Sequence, residues 1–238
     1  MSHNGARPAG AGAKEGNMRS DTIQTSKGDV VITFLGHATL MMTFGGKVTH
    51  VDPVSTEADY SEMPGADLIL ITHGHFDHLD LKAVGLLTKV STKVVGNAEV
   101  ASQVEGTIAM KNGETQTVDG LAIEAVPAYN ILHVSEPGKP FHPRGVGNGY
   151  IVTFGDTRVY IAGDTENTPE MKQLKNIDIA FLPMNLPYTM TPEMVADAAK
   201  TFLPKILYPY HFGETDTSKL TTLLKDEKGI EVRIRDMK

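Results

Sequence analysis

The chain has 238 residues, enough for one domain or two small ones. An apolar fraction of 40% beside 21% charged residues supports a sizeable core and excludes disorder throughout. With no cysteine, any metal must be held by His, carboxylate or carbonyl, and disulfides and thiolate nucleophiles are excluded. A net charge of -7 argues against broad capture of nucleic acid.

No apolar run reaches the roughly 18 residues of a membrane span. Residues 1–29 lack the apolar stretch of ~7 to 15 residues found in secretory leaders. They read as a flexible tail before a single domain over 30–238, and the expected location is the cytoplasm unless a leader has been removed. Oligomeric state is not legible.

From residue 30 the chain reads first as short strands. Val30–Leu35, Thr39–Phe44 and Lys47–Val51 form a meander, the last two joined by the turn-forming pair Gly45-Gly46. Asp67–Thr72 is a continuous apolar run, the pattern of a strand covered on both faces. Leu81–Lys89 and Asn97–Val104 have helical spacing, with Asp80 and Asn97 as N-caps and a short strand, Lys93–Val95, between them.

Strand-like pieces return at Thr107–Met110, Thr115–Val118 and Leu121–Val126. The irregular stretch Pro127–Asn148 has the length of a functional loop. The last third alternates: strands at Tyr150–Phe154, Arg158–Ala162, Ile177–Leu182, Ile206–Tyr210 and Ile230–Ile234, and helices at Pro192–Phe202 and near Ser218–Lys225. Pro192 falls at the first helical position, where its missing N–H costs nothing. Two sheets packed face to face with helices outside are expected.

The strongest chemical signal is His73-Gly74-His75-Phe76-Asp77-His78, four potential ligands in six residues directly after the buried strand. The carboxyl ends of strands are where ligand sites gather. His73 and His75 are two apart, so on extended backbone their imidazoles point the same way, and Asp77 and His78 follow where the chain turns. Neutral imidazole and carboxylate suit Zn, Mn or Fe as divalent ions.

HGHFDH resembles the HxHxDH signature of the metallo-β-lactamase superfamily. Gly36-His37-Ala38-Thr39, Val51-Asp52-Pro53, Gly163-Asp164-Thr165 and Tyr210-His211 occur in the order that resemblance leads one to expect. It spans about residues 30–215 and implies an α+β fold, a four-layer αββα sandwich with a one- or two-metal site at one edge. By the same resemblance His73 and His75 hold a first metal, Asp77 and His78 a second, Asp164 bridges both, and His211 completes the second. Zn is the first expectation for one or two divalent ions, with Mn or Fe as alternatives. His37 and Asp52 take supporting roles, orienting a metal-binding His. His50 reads as an ordinary surface or packed histidine.

One departure stands out. Where the superfamily usually has a further first-metal His, this chain has Ala128-Tyr129-Asn130. The pattern Phe141-His142-Pro143-Arg144-Gly145 resembles a subset close to the ascorbate-phosphate lactonase-like members, so His142 is the expected substitute, with His133 or Asn130 as the alternatives.

Water bound to such cations has its pKa lowered toward neutrality and becomes a nucleophile without Ser or Cys. The expected activity is hydrolysis of a small-molecule ester, lactone or phosphoester, with Asp77 positioning the hydroxide as catalytic residue and Arg144, Asn185 and Tyr188 binding substrate. A phosphodiesterase acting on nucleotides or lipids, or a metal-binding protein without turnover, are the alternatives.

Overall fold

The computed structural model describes residues 19–238, and its first strand lies where the sequence suggested none. β1 (Ser20–Thr25) pairs antiparallel with β2 (Gly28–Gly36), in register from Ser20 opposite Thr33 to Thr25 opposite Gly28. The tail expected over 1–29 is therefore corrected from Ser20 onward; residues 1–18 lie outside the described residues. SDTIQT carries one large apolar residue, Ile23, and becomes a strand because β2 offers it an open edge.

β2 continues through β3 (Thr39–Phe44) and β4 (Lys47–Val51) as antiparallel neighbours. β5 (Ala66–Leu70), β6 (Thr88–Gly96) and β7 (Ile108–Ala109) then add in parallel, giving a seven-stranded sheet in sequence order. Between β5 and β6 runs α1 (Leu81–Leu87), and between β6 and β7 the single turn α2 (Ala98–Ala101). α1 is shorter than expected because the chain turns extended at Thr88, where Val90, Thr92, Val94 and Val95 bring a run of β-branched residues.

The second sheet repeats the plan. β8 (Thr115–Val118), β9 (Leu121–Ala128), β12 (Gly147–Phe154) and β13 (Thr157–Ile161) are antiparallel neighbours in that order. β14 (Ile179–Pro183), β15 (Ile206–Tyr210) and the short β16 (Glu231–Val232) extend it in parallel. The excursion between β9 and β12 is shorter than the 127–148 loop expected, and it contains a small hairpin, β10 (Val134–Glu136) with β11 (Lys139–Pro140).

Packing follows from side-chain alternation. On β5, Leu68 and Leu70 join the core between the sheets, whereas Ile69 and the following Ile71 join a second cluster with Ala83, Val84 and Leu87 of α1. The second sheet is covered by α3 (Pro169–Lys172), α4 (Pro192–Phe202) and α5 (Thr217–Leu223). α4 begins at Pro192 behind the cap Thr191 and buries Val195, Ala198, Ala199 and Phe202, the last edge-on to Tyr160 at 6.2 Å. The result is a four-layer αββα sandwich. Among the described residues no helix is long and apolar enough to cross a membrane.

Candidate metal centre

β4 and β5 lie side by side and parallel, so their exits meet. At the β4 exit Asp52 is fully buried with φ +42. Its Oδ1 accepts the Thr72 N–H at 2.8 Å, and its Oδ2 accepts the Thr72 hydroxyl at 2.7 Å and the His78 Nδ1–H at 2.8 Å. That bond fixes the orientation of the His78 ring and turns Nε2 towards the site. The ligand-bearing segment is itself a tight turn, closed by the N–H groups of His78 and Leu79 on the His75 carbonyl, before Asp80 caps α1.

The second sheet contributes from three strand ends. After β13 the chain turns at Gly163, φ +65, where a Cβ would stand 2.9 Å from the Asn148 carbonyl and 3.1 Å from Thr72 Cβ. Only glycine allows this close approach of the two sheets. The Gly163 N–H donates to the Tyr210 hydroxyl at 2.9 Å, and Asp164 follows into the site. After β14 comes Asn185, and after β15 comes His211, φ +46, its N–H donating to the His37 carbonyl.

His142 arrives from the β9–β12 excursion. Asn130 Oδ1 accepts both its backbone N–H at 2.7 Å and its Nδ1–H at 2.8 Å, so Nε2 again faces inward. Asn130 is held in turn by Glu166, a buried carboxylate that gathers the N–H groups of Ile131, Leu132 and His133 at 2.7–2.9 Å and the Asn130 amide at 3.3 Å.

These segments converge on two groups of donor atoms. His73, His75 and His142 form one, with ligand atoms all within 4.8 Å of each other; His37, Asp77, His78 and His211 form the other. Asp164 lies between them and forms a third, overlapping set with His73 and His78. Its Oδ1 is 3.3 Å from His78 Nε2, and its Oδ2 is 3.2 Å from His142 Nε2 and 3.5 Å from His211 Nε2. His37 Nε2 is 3.2 Å from Asp77 Oδ2, its ring lies 3.7 Å from that of His211 at a tilt of 40°, and its Nδ1 meets the Lys238 backbone oxygen at 3.2 Å.

The donor set fits divalent cations. His78 Nε2, Asp164 Oδ1 and His211 Nε2 are buried without a hydrogen-bond partner among the described residues, despite lying close together. Buried polar atoms left so are rare and costly unless another partner takes them. Burial disfavours the charged form of Asp164, but the imidazoles of His211 and His78 outweigh it and hold the carboxyl well below the usual range. Burial likewise works against a charged His78, and Asp164 and Asp52 overcome it, holding this imidazole well above its ordinary value. His73 goes the other way: burial first, then His78 beside it, keep it neutral.

Of the residues singled out in the sequence, His73, His75, Asp77, His78, His142, Asp164 and His211 are brought together. Of the three candidates weighed for the first group, His142 lies in it; Asn130 is bonded to His142, and His133 Nδ1 lies 2.8 Å from Glu166. Asp52 orients His78, while His37 contacts Asp77 rather than a ligand imidazole's far nitrogen. Asn185 and Tyr188 line a cavity of about 350 Å³ that opens onto Asp77, His142, Asp164 and His211. Arg144 is a correction: its guanidinium is mostly exposed, pairs with Glu170 at 2.6 Å and lies over the Tyr129 ring, so it does not line the cavity. Glu166, Phe76 and Phe141 were not anticipated. An acid two residues beyond Asp164 was the only local hint of Glu166.

A family model described as the beta-lactamase superfamily domain matches residues 31–211. The UPF0173 metal-dependent hydrolase of Methanopyrus kandleri is 34% identical over 194 residues, 76% of this chain and 84% of its own. A crystal structure from Parabacteroides distasonis, described as that of a metal-dependent hydrolase, superposes with a TM-score of 0.89 at 50% identity, covering 93% of this chain and all of the other. Igni18, a metallo hydrolase from Ignicoccus hospitalis, gives 0.73 at 25% identity over 87% of this chain and 95% of its own. The chain therefore belongs to the metallo-β-lactamase superfamily and is one of its metal-dependent hydrolases.

Proposed function

We propose that this protein hydrolyses a small-molecule ester, lactone or phosphoester with two divalent cations, Zn before Mn or Fe. His73, His75 and His142 would hold one, Asp77, His78 and His211 the other, and Asp164 would serve both. The observation that carries the reading is Asp164: a buried carboxylate with Oδ1 beside His78 of one donor group and Oδ2 between His142 of the other and His211, all within 3.5 Å. When bound, such ions lower the pKa of water and polarise the scissile oxygen.

The chain's own groups do the rest. Asp77 lines the cavity, and contacts with His211 and His37 outweigh its partial burial, so its carboxyl stays ionised far into acid. Remaining ionised, it accepts a hydrogen bond from the attacking water and orients it. Asp52 and Asn130 keep His78 and His142 in the tautomer that presents Nε2. Asn185 and Tyr188, across the cavity, contact the substrate's polar atoms.

Elemental analysis of protein purified without added metal, paired with a hydrolysis panel after reconstitution with Zn, Mn or Fe, tests the reading. About two equivalents and turnover of at least one substrate class are expected. Negligible metal together with no turnover after reconstitution would overturn it.

A further inference from the structure

We propose that the mouth of the cavity is an apolar subsite that takes the alkyl or aryl part of an uncharged carbonyl substrate, so that the site acts on esters or lactones in preference to phosphoesters. This rests on the hydrolytic reading above and narrows it.

Three loops carry the argument. Phe76, inside the ligand-bearing turn, is 87% exposed yet lines the cavity. Phe141 and Tyr188 line it opposite, edge to face with ring centroids 5.0 Å apart. Next to Asn130 and Asn185 in the chain, though not among the residues that line the cavity, come Leu132, 70% exposed, Ile131 and Leu186. These are tied to the cavity wall: the Asn130 amide donates to the Tyr188 carbonyl at 2.8 Å, and Glu166 pins the backbone of 131–133.

Large apolar side chains held out in water around a cavity mark a binding site rather than ordinary surface. Glu166 makes the point sharper. A buried carboxylate that collects three backbone N–H groups fixes the loop in place, so Ile131 and Leu132 are displayed on a rigid support and lose little freedom on binding.

Charge selects within that site. None of the residues lining the cavity is Lys or Arg. Arg144, the nearest cation the sequence offered for an anion, is engaged by Glu170. Asp77 and Asp164 meanwhile add negative charge to the wall. The cations would face a carbonyl oxygen or one phosphoryl oxygen alike, but a phosphoester's remaining anionic oxygen would meet the rings of Phe76, Phe141 and Tyr188 with no guanidinium or ammonium to receive it, while a neutral ester or lactone brings no such oxygen. For a neutral substrate the bond cleaved is the acyl C–O bond: the attacking water, held by Asp77, adds its oxygen to the carbonyl carbon and gives up a proton, the alkoxide leaves and takes up a proton, and a carboxylic acid and an alcohol result.

The test uses the metal-reconstituted protein with p-nitrophenyl esters from acetate to octanoate, beside p-nitrophenyl phosphate and bis(p-nitrophenyl) phosphate. We expect kcat/KM to rise about fourfold per methylene over the first few carbons, and both phosphates to be at least about tenfold slower than the best ester. Leu132→Ser should lower the octanoate-to-acetate ratio several-fold, and Val90→Ser, on an exposed apolar residue of β6 outside these loops, should leave the ratio as it is. A flat chain-length profile, or a phosphodiester faster than every ester, would overturn the proposal while leaving the hydrolytic reading standing. Should no substrate turn over, Nile red decides the subsite on the metal-free protein. Fluorescence weakened by Leu132→Ser but not by Val90→Ser supports it; equal fluorescence in both variants overturns it.

Discussion

The two seven-stranded sheets follow one course, three antiparallel pairings and then three parallel ones, yet they deliver chemistry in opposite ways. The first concentrates it: a single strand, β5, ends in the turn that carries His73, His75, Asp77 and His78. The second distributes it, with Asp164, Asn185 and His211 each at the end of a different strand. A concentrated set is held by local turn geometry. A distributed set is held only by the register of its sheet and by how closely that sheet approaches the other, so it should be the more fragile half.

Asp164 is where the two halves meet, and its loss should be the most damaging. Asp164→Ala is expected to lower activity by on the order of 10³-fold or more and to reduce bound metal below two equivalents. His75→Ala, which serves one group only, should retain metal in the other. Elemental analysis and steady-state rates on both variants check this. Two full equivalents in Asp164→Ala would mean that the carboxylate is not shared.

Glycine substitutions compare the two halves directly. At Gly163 an added methyl meets Thr72 Cβ of the facing sheet's edge at 3.1 Å as well as the Asn148 carbonyl of its own sheet at 2.9 Å, and sits on backbone with φ +65. Gly163→Ala should cost about 2–4 kcal/mol of unfolding free energy, the sum of left-handed strain and overpacking. Gly85 in α1 of the first half has nothing within 4 Å of its added Cβ, and Gly85→Ala should be stabilising by up to about 1 kcal/mol. Urea denaturation of both variants measures the difference; equal effects would show that the approach of the sheets is not under constraint.

The two halves also differ in how a ligand is oriented. His78 is set by Asp52 from the strand next door, whereas His142 depends on Asn130 and, behind it, Glu166. Asn130→Ala should weaken metal at the His73–His75–His142 group about 10- to 100-fold, read by competition with a chelator, and leave the other group's affinity close to its original value. Uniform weakening at both would indicate collapse of the excursion rather than loss of one orienting bond.

This contrast explains what the sequence could reveal. The HxHxDH turn was legible because all of its ligands lie in one window after an apolar strand, and β5, β14 and β15 were legible because buried parallel strands are near-continuous apolar runs. Asp164 and His211 were found through resemblance and through their position at strand ends. Glu166 was not found, since its function exists only once the backbone of 131–133 folds over it. β1 was missed for a related reason. SDTIQT has little apolar content of its own and is held by pairing with β2 and by Asp21, which takes the guanidinium groups of Arg233 and Arg235 more than 200 residues away. Arg144 was singled out because its type suggested an anion, and only the fold reveals Glu170 beside it and the cavity lined without it.

Histidines give the smallest and most specific test. His50 on β4 and His78 are both fully buried, but their surroundings push them apart. His78 faces two carboxylates that raise its pKa. His50 has only the Pro64 carbonyl at 3.1 Å, and burial lowers it to about 4. Its folded value lies below that of the unfolded chain, near 6.5, so the unfolded state binds the proton first as the solution is acidified. The stability tied to a neutral His50 is complete above that unfolded value and is lost as pH falls from about 6.5 towards 4. Between neutrality and about pH 5.5 this amounts to about 1 kcal/mol. His50→Gln keeps an N–H for the Pro64 carbonyl but cannot take up the proton, so its stability should fall by that much less over the same interval, as measured by urea denaturation at each pH. An identical pH dependence in the variant would mean that His50 is charged in the folded protein, and that burial in the first sheet does not separate it from His78.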